Sequence, residues 1–247
     1  MQIQGKVAVV TGGGSGLGKA TCYHLSALGA KLAIFDLNSS GLSSDSNILS
    51  YAIDITDEQP VAMAIEEVMN LFGAIHICVN CAGIAPAEKI LSSHGPLPLA
   101  HFHEVINTNL IGSFNVMSKC AEQMAHNAPE HDERGVIINT ASIAAYEGQK
   151  GQAAYSASKA GIVGITLPAA RELSEYGIRV NAIAPGVFDT EMMQHMPDKV
   201  RHTLQQQIEH PKRFGEPLEF AQLVEHLIQN PYLNGEVIRL DGGLRMS

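Results

Sequence analysis

Two side chains that could act as an acid–base pair, Tyr155 and Lys159, lie four positions apart in the chain. If the segment is helical, this spacing places both side chains on one face. A phenol is a weak acid with a reference pKa of about 10, and an ammonium group beside it favours the phenolate. The pair could then exchange a proton with a substrate near neutral pH. The alternative is an unremarkable tyrosine and lysine on a solvated helix face, because the pattern is common.

A third polar side chain, Ser142, follows directly after residues 136–140, whose apolar character predicts a buried strand. In a parallel sheet, ligands bind beyond the carboxyl ends of the strands, which is where Ser142 would lie. Small residues surround the Tyr155–Lys159 pair, so a planar ligand could approach the backbone closely. These are Ala153, Ala154, Ser156, Ala157, Ser158, Ala160 and Gly161.

A glycine-rich turn near the amino terminus could bind phosphates. Residues 6–11 form an apolar, β-branched run, and Gly12, Gly16 and Gly18 follow before a segment with helical periodicity that closes at Gly29. Glycines permit a tight turn and a close approach to a pyrophosphate, and a helix N-terminus offers unpaired N–H groups with a partial positive charge. The order strand, glycine turn, helix therefore predicts a nucleotide cofactor.

The second predicted strand, residues 31–36, ends in an acidic side chain that bears on the choice of cofactor. Asp36 lies about 20 residues beyond the glycine turn, where an acceptor for a ribose 2′-hydroxyl is expected. A turn aspartate with no ligand is the alternative. No arginine precedes Arg134, and only Lys19 is available to neutralise a 2′-phosphate. The charges therefore favour NAD over NADP.

Further strands are predicted at residues 48–53, 75–80, 136–140, 178–184 and 236–240, and helices are predicted between most of them. Asp54 at the tip of the third strand could reach an adenine amino group, and Asn80 at the end of the fourth is expected to tie strands together through its amide. Asn109 falls in a helix predicted at about residues 102–126. No repeat or linker is evident, so residues 1–247 are predicted to be one domain.

The connecting segments are less regular. Residues 38–47 predict a loop or one weak helical turn, and residues 84–103 an irregular loop. The helix that carries Tyr155 is expected to extend to about residue 176, with a kink or a disrupted hydrogen bond at Pro168. Residues 188–216 are polar and broken by prolines, which is typical of a mobile substrate loop over a site.

Composition excludes several classes of protein. The net charge of −9 without a basic run argues against nucleic acid or an anionic membrane as partner, and no apolar run is long enough to span a bilayer. Met1 is followed almost at once by a predicted strand, which favours a cytoplasmic protein. Cys78 and Cys81 form a CxxC on one strand, where they would point to opposite faces. We therefore expect reduced structural thiols and no metal site, here or among the histidines at positions 94, 101 and 103.

Taken together, the motifs resemble those of the short-chain dehydrogenase/reductase family, and the resemblance covers essentially the whole chain. Each motif is weak alone, but their order is specific. A departure is Cys81, where much of the family has a second asparagine. The resemblance rests on Thr11, Gly12, Gly16, Gly18, Asp36, Asp54, Asn80, Ala82, Gly83, Asn109, Ser142, Tyr155, Lys159, Pro185, Gly186 and Thr190.

This resemblance implies an α/β Rossmann fold, a doubly wound seven-stranded parallel sheet in the order 3-2-1-4-5-6-7 with helices on both faces. It implies Tyr155 as general acid–base, Lys159 as the group that lowers its pKa and holds the nicotinamide ribose, and Ser142 as a hydrogen-bond partner of the substrate oxygen. Asn109 would anchor a relay water. Substrate contacts are expected from Ser142, Gln149 and Tyr155. The NAD shell would comprise Gly12, Ser15, Gly16, Leu17, Gly18, Asp36, Leu37, Asp54, Ile55, Cys81, Ala82, Gly83, Tyr155, Lys159, Pro185, Gly186, Val187, Phe188 and Thr190.

Residues 148–155, 166–171, 184–188 and 233–242 resemble a branch of the family that acts on 3-hydroxyacyl-CoAs, and Pro168 belongs to that signature. The resemblance therefore implies an NAD-dependent enzyme that interconverts a 3-hydroxyacyl-CoA and a 3-oxoacyl-CoA, and a homotetramer. The alternatives are a hydroxysteroid or other secondary-alcohol dehydrogenase, a 3-oxoacyl carrier-protein reductase, and a non-catalytic scaffold. Asp36 counts against the reductase, which usually takes NADPH, and the intact set of polar residues counts against the scaffold.

Overall fold

A computed structural model of the chain describes residues 1–38, 46–194 and 198–246, with only the backbone of residues 192, 194 and 198–200. Its strands form a seven-stranded parallel sheet and a separate two-stranded antiparallel hairpin. The strands are β1 (Val7–Thr11), β2 (Lys31–Asp36), β3 (Ile48–Ala52), β4 (Ile77–Asn80), β5 (Leu91–Ser92), β6 (Gly95–Pro96), β7 (Gly135–Thr140), β8 (Ile178–Pro185) and β9 (Val237–Leu240).

Helices alternate with the strands of the large sheet. Those described are α1 (Gly16–Ala27), α2 (Glu58–Phe72), α3 (Leu99–Ile106), α4 (Ser113–Met124), α5 (Ala153–Ser174), α6 (Glu191–Gln194), α7 (Asp198–Gln206) and α8 (Pro217–Gln229). A π-helical turn, Asn107–Gly112, joins α3 to α4, and a short 3₁₀ helix, Ile143–Ala145, follows β7.

The central strands are buried on both faces, as parallel strands covered by helices must be. In β1, Val7 and Val9 belong to the core that includes residues of α2 and α4, whereas Ala8 and Val10 belong to the opposite core with α1 and α8. The sheet order is β3-β2-β1-β4-β7-β8-β9. With the hairpin strands set aside, this is the predicted order 3-2-1-4-5-6-7, so the doubly wound α/β fold is confirmed.

The predictions for the connecting segments have mixed outcomes. The segment 84–103 is not wholly irregular, since it contains the β5–β6 hairpin and the start of α3 at Leu99. Helix α5 continues through Pro168 to Ser174, close to the predicted end at about residue 176. The predicted loop at 38–47 falls mostly on residues 39–45, and the substrate loop at 188–216 includes residues 195–197. Both of these short stretches lie outside the described residues.

Candidate active site at the carboxyl ends of the strands

The predicted acid–base pair lies on α5 beside the end of β7. The Nζ atom of Lys159 lies 5.8 Å from the centroid of the Tyr155 ring, so both side chains occupy one face of the helix as expected. Lys159 is buried, and its Nζ donates a 2.7 Å hydrogen bond to the carbonyl oxygen of Thr140, the last residue of β7. Strand and helix are therefore joined at the candidate site.

The two side chains differ from the expectation in their electrostatics. Burial lowers the pKa of Lys159 from its usual 10.5 to about 8, because the charged ammonium loses solvation. Burial also raises the pKa of Tyr155 above its usual value, and a hydrogen bond with Ser142 opposes that rise. The expected lowering of the tyrosine pKa by Lys159 is therefore not the dominant effect in this structure, where the ammonium binds a carbonyl instead.

Ser142 lies just beyond β7, where parallel strands present ligand-binding groups. It is the N-cap of the short helix Ile143–Ala145, and its Oγ accepts a 3.1 Å hydrogen bond from the N–H of Ala144. The side chain is buried, and its hydroxyl lies close enough to the Tyr155 phenol to oppose the rise in the pKa of that phenol. The hydroxyl and the phenol therefore converge on one point.

Asn109 occupies the π-helical turn and is completely buried. Its Oδ1 accepts a 2.8 Å bond from the N–H of Ile84, and its Nδ2 donates to the Ile84 carbonyl at 2.9 Å and to Ser158 Oγ at 3.0 Å. Ser158 Oγ donates in turn to the carbonyl of Tyr155 at 2.7 Å. A single amide thus connects the loop after β4 to the helix that carries the pair.

The glycine turn after β1 has the form of a cradle for a dinucleotide. Gly12 has φ +67°, and a Cβ there would lie 2.8 Å from the backbone of Ala82, so only glycine permits this approach. Helix α1 begins at Gly16 and no side chain caps it at Ser15, which leaves its first N–H groups available to a phosphate. A Cβ on Gly16 would meet only Thr190, at 3.5 Å. The residues present therefore fit a bound pyrophosphate.

Asp36 lies beside this turn, at the end of β2. Its Oδ2 accepts a 2.9 Å hydrogen bond from the N–H of Gly14, and its Oδ1 a 3.0 Å bond from the N–H of Asn38. The next side chain, Leu37, is 67% exposed. Asp54 binds the N–H and Oγ1 of Thr56, each at 2.8 Å, so its carboxylate is already engaged locally.

The loop after β4 forms the floor between the glycine turn and the acid–base pair. Thr11 Oγ1 accepts hydrogen bonds from the N–H groups of Cys81 and Ala82 at 3.1 and 3.0 Å. A Cβ on Gly83 would lie 3.0 Å from Asn109 Oδ1 and 3.7 Å from Lys159 Nζ. A side chain at position 83 would therefore crowd Asn109.

Asn80, at the end of β4, behaves as predicted. Its Nδ2 donates 2.9 Å to Asn139 Oδ1 on β7 and 3.3 Å to the carbonyl of Ser113. The amide therefore ties two strands and a helix together beneath the site.

Of the predicted cofactor residues after β8, some face the glycine turn and others pack into apolar clusters. Thr190 faces Gly16, and the N–H of Gly186 donates 2.9 Å to the carbonyl of Leu240. Phe188 is buried edge-on against Phe220, so its ring is part of the core. Val187 packs in an apolar cluster with Ile143. Another predicted cofactor residue, Ile55, lies after β3, and its carbonyl accepts a 2.8 Å hydrogen bond from Asn115 Nδ2.

Gln149 lines a cavity of about 620 Å³ between the hairpin and the segment before α5. Its N–H donates 2.9 Å to Gln152 Oε1. Neither Tyr155 nor Ser142 lines this cavity, so the structure does not bring Gln149 together with them. The remaining lining residues are Lys89, Ile90, Leu91, Ala144, Ala145, Tyr146, Gly148, Lys150, Gly151, Gln152, Ala153 and Ser156.

The hydrogen-bonding roles of two residues in this site are not predicted from the sequence. Thr140 acts through its carbonyl, which no side-chain pattern can reveal. Ser158 lies three residues after Tyr155, a spacing that could have indicated the helical hydrogen bond to the Tyr155 carbonyl.

The cysteines do not form a ligand set. Cys78 packs in the core with α2 and α4, whereas Cys81 packs against the opposite core, as the strand geometry predicts. Among the described residues, no group of three or more potential ligands could hold a metal ion, and no helix is long and apolar enough to cross a membrane.

A parallel doubly wound sheet, a glycine turn that opens a helix and a tyrosine–lysine pair beside the strand ends together define a nicotinamide-dependent oxidoreductase. The family model for short chain dehydrogenase matches residues 6–201. The chain belongs to the short-chain dehydrogenase family and is an oxidoreductase enzyme.

Individual relatives are similar over nearly their whole length. The chain is 49% identical over 252 residues to 3-hydroxyacyl-CoA dehydrogenase type-2 of Bos taurus, which covers 99% of this chain and 97% of the relative. It is 48% identical, with the same coverage, to the protein of that name from Homo sapiens. The crystal structure of 3-hydroxyacyl-CoA dehydrogenase type-2 from Mycobacterium avium superposes with a TM-score of 0.91 at 38% identity, covering 100% of this chain and 99% of that one.

Proposed function

We propose that the protein is an NAD-dependent dehydrogenase that interconverts a 3-hydroxyacyl-CoA and a 3-oxoacyl-CoA. The observation that carries the chemistry is the convergence of Ser142 and Tyr155, with Lys159 on the same helix face. The substrate class is supported by the names of the relatives that are 48–49% identical over almost the entire chain.

In this proposal Tyr155 gives or takes the proton of the substrate hydroxyl. Ser142 donates a hydrogen bond to the same oxygen, and the ammonium of Lys159 holds the nicotinamide ribose. The nicotinamide supplies hydride transfer. The side-chain amide of Asn109 is fully engaged with Ile84 and Ser158, so we assign the relay water to its backbone carbonyl, which Ser113 Oγ also approaches at 2.9 Å.

NAD is favoured over NADP by the charge at the end of β2. A 2′-phosphate near Asp36 would be repelled by its carboxylate, and the exposed neighbour Leu37 supplies no cation. The ribose hydroxyls, in contrast, would find an acceptor there. The proposed shell is the glycine turn with Asp36, the loop Cys81 to Gly83, and the segment from Pro185 to Thr190, in which Phe188 contributes through its backbone.

The decisive experiment follows the loss of reduced-nicotinamide absorbance with acetoacetyl-CoA, in parallel with NADH and NADPH. We expect rapid turnover with NADH and at least tenfold lower kcat/KM with NADPH, about 1.4 kcal/mol of discrimination. Turnover with NADPH alone would overturn the assignment of NAD and favour a biosynthetic reductase. If the protein binds NADH but does not reduce acetoacetyl-CoA, its substrate is another secondary alcohol or the corresponding ketone.

We further propose a homotetramer of single-domain chains, residues 1–247. This is supported by exposed apolar side chains on one stretch of the π-turn and α4, Ile111 at 49% and Phe114 at 51%, and on α5, Leu167 at 44%. Sedimentation as a monomer at micromolar concentration would contradict it. A substrate loop at 188–216 and a cytoplasmic location remain predictions.

A further inference from the structure

The carboxy-terminal residues converge on the segment that follows Ser142. Glu147 receives two hydrogen bonds from Arg239, at 2.9 and 3.2 Å, and a third from the N–H of Met246 at 3.1 Å. Arg239 also donates to Asp241 at 2.7 Å and to the carbonyl of Leu244 at 3.0 Å. We name Glu147, Arg239, Asp241 and Arg245 the carboxy-terminal clamp.

The geometry of the clamp makes it specific. A bidentate guanidinium–carboxylate pair fixes orientation as well as distance, unlike a flexible lysine contact. Arg245 adds a 3.1 Å bond to Asp241. The Arg239 hydrogen bonds hold the pKa of Glu147 below its usual range, so the pair is ionised at neutral pH. The Arg239 guanidinium also lies 5.5 Å from the centroid of the Tyr146 ring.

The same carboxy-terminal residues contact the predicted substrate loop. Leu244 is fully buried with Ile143, Ile208 and Phe214 in one apolar cluster. The N–H groups of Glu209 and His210 both donate 3.0 Å hydrogen bonds to the carbonyl of Gly242. One short segment, residues 241–246, thus joins the turn after Ser142 to the loop that faces it.

The segment held by Glu147 begins directly after Ser142 and forms part of the wall of a cavity. Ala144, Ala145, Tyr146, Gly148 and Gln149 line the cavity of about 620 Å³, and Ile143 directly follows Ser142. Displacement of Glu147 would therefore move the wall of this cavity.

We infer that Glu147 is a positioning residue for substrate binding, through which the carboxy-terminal segment holds residues 142–149 against the substrate loop. The inference rests on the proposed function only for the choice of substrate. Glu147 acts on the substrate through the residues it holds, and it contacts neither Tyr155 nor Lys159 in the hydrogen bonds of this site.

The test compares Glu147→Gln with Glu225→Gln. Glu225 pairs with His24 at 2.6 Å, away from the site, and the two glutamates have similar exposures of 23% and 26%. We expect Glu147→Gln to raise KM for acetoacetyl-CoA about tenfold with kcat changed less than about twofold, the pattern of lost uniform binding. KM for NADH should not change. Arg239→Lys keeps the positive charge but loses the bidentate pair with Glu147, so it should also raise KM for acetoacetyl-CoA.

Hydrogen–deuterium exchange supplies a readout that does not depend on turnover. Exchange in peptides covering residues 143–149 and 208–215 should accelerate in Glu147→Gln and not in Glu225→Gln. Unchanged exchange in both regions would overturn the inference, as would a KM within twofold of the wild-type value. If the wild-type protein does not reduce acetoacetyl-CoA, the proposed function fails and the exchange experiment still decides the role of Glu147.

Discussion

Lys159 and Thr140 are joined by a 2.7 Å hydrogen bond from the lysine Nζ to the threonine carbonyl. Thr140 ends β7 and lies two residues before Ser142, so the bond fixes the helix that carries Tyr155 relative to the strand end that presents Ser142. It also places a buried cation beside the loop of Cys81. The arrangement would hold the proposed acid–base groups in place before a substrate arrives.

The lowered pKa of Lys159 predicts a pH dependence of cofactor use. Its ammonium is lost as the pH rises through about 8, whereas an unperturbed lysine would keep it to about 10.5. Because we propose that the ammonium holds the nicotinamide ribose, kcat/KM for NADH should fall above pH 8. The Lys159→Arg variant should have a lower kcat/KM for NADH throughout. Its kcat/KM should not fall above pH 8, since arginine stays charged in this range. If kcat/KM for NADH also falls above pH 8 in Lys159→Arg, the pH dependence does not come from Lys159.

Tyr155→Phe should retain NADH binding and lose turnover by about 10²–10⁴-fold, the contribution typical of a general acid–base group. The ring remains, so the packing of α5 is preserved. Tyr23→Phe is the matched control, because that phenol is 51% exposed on α1. Fluorescence titration with NADH and steady-state rates separate binding from chemistry. Near-normal turnover in Tyr155→Phe would exclude the proposed role.

The sequence predicts the sheet and the pair at its edge because both depend on short-range patterns. Buried apolar runs identify β1, β2, β7 and β8, and the i, i+4 spacing brings Tyr155 and Lys159 together. The π-turn that holds Asn109 is not predicted, because an extra residue per turn leaves the apolar pattern almost unchanged. The two-residue strands of the hairpin are too short to show an alternating pattern.

The electrostatics of the pair could not be predicted either, because they depend on burial and on a backbone carbonyl distant in sequence. A lysine beside a tyrosine suggests that the phenol pKa falls. The structure instead gives Lys159 the Thr140 carbonyl as partner and buries Tyr155 enough to raise its pKa. Tertiary structure thus decides the sign of the shift, although the sequence identifies the residues.

Asp36 should control the preference between the two nicotinamide cofactors. Asp36→Ala should raise KM for NADH about tenfold, as expected for the loss of hydrogen bonds to a charged acceptor. Leu37→Arg should lower KM for NADPH by supplying a cation, and the double variant should combine both effects. Because Asp36 also binds the N–H of Gly14, melting temperatures must be compared. An unchanged KM for NADH in a folded Asp36→Ala protein would refute the proposed contact.

Ser158→Ala should destabilise the protein by about 1–3 kcal/mol, because it leaves a buried donor of Asn109 unpaired. Ser118→Ala is a close control, since both hydroxyls donate to the carbonyl three residues earlier, but Ser118 is exposed. Urea unfolding of the two variants gives the difference in free energy of unfolding. Equal effects would show that the Asn109–Ser158 hydrogen bond contributes nothing measurable.

His76 should make the stability of the fold sensitive to acid. Its Nδ1 accepts a 3.2 Å hydrogen bond from the N–H of Val7, which requires the neutral ring. Burial, helped by the charge of Lys6 and opposed by Glu130, lowers its pKa from the usual 6.5 to about 4. Between these values the unfolded chain binds a proton that the folded protein does not, so the free energy of unfolding falls as the pH drops from 6.5 to 4.

His76→Asn keeps an acceptor near the Nδ1 position and cannot titrate, so its melting temperature should fall less over this window. His94→Asn, an exposed substitution on the hairpin, should follow the wild-type curve. A melting temperature of His76→Asn that falls in parallel with the wild type would assign the acid sensitivity to other groups.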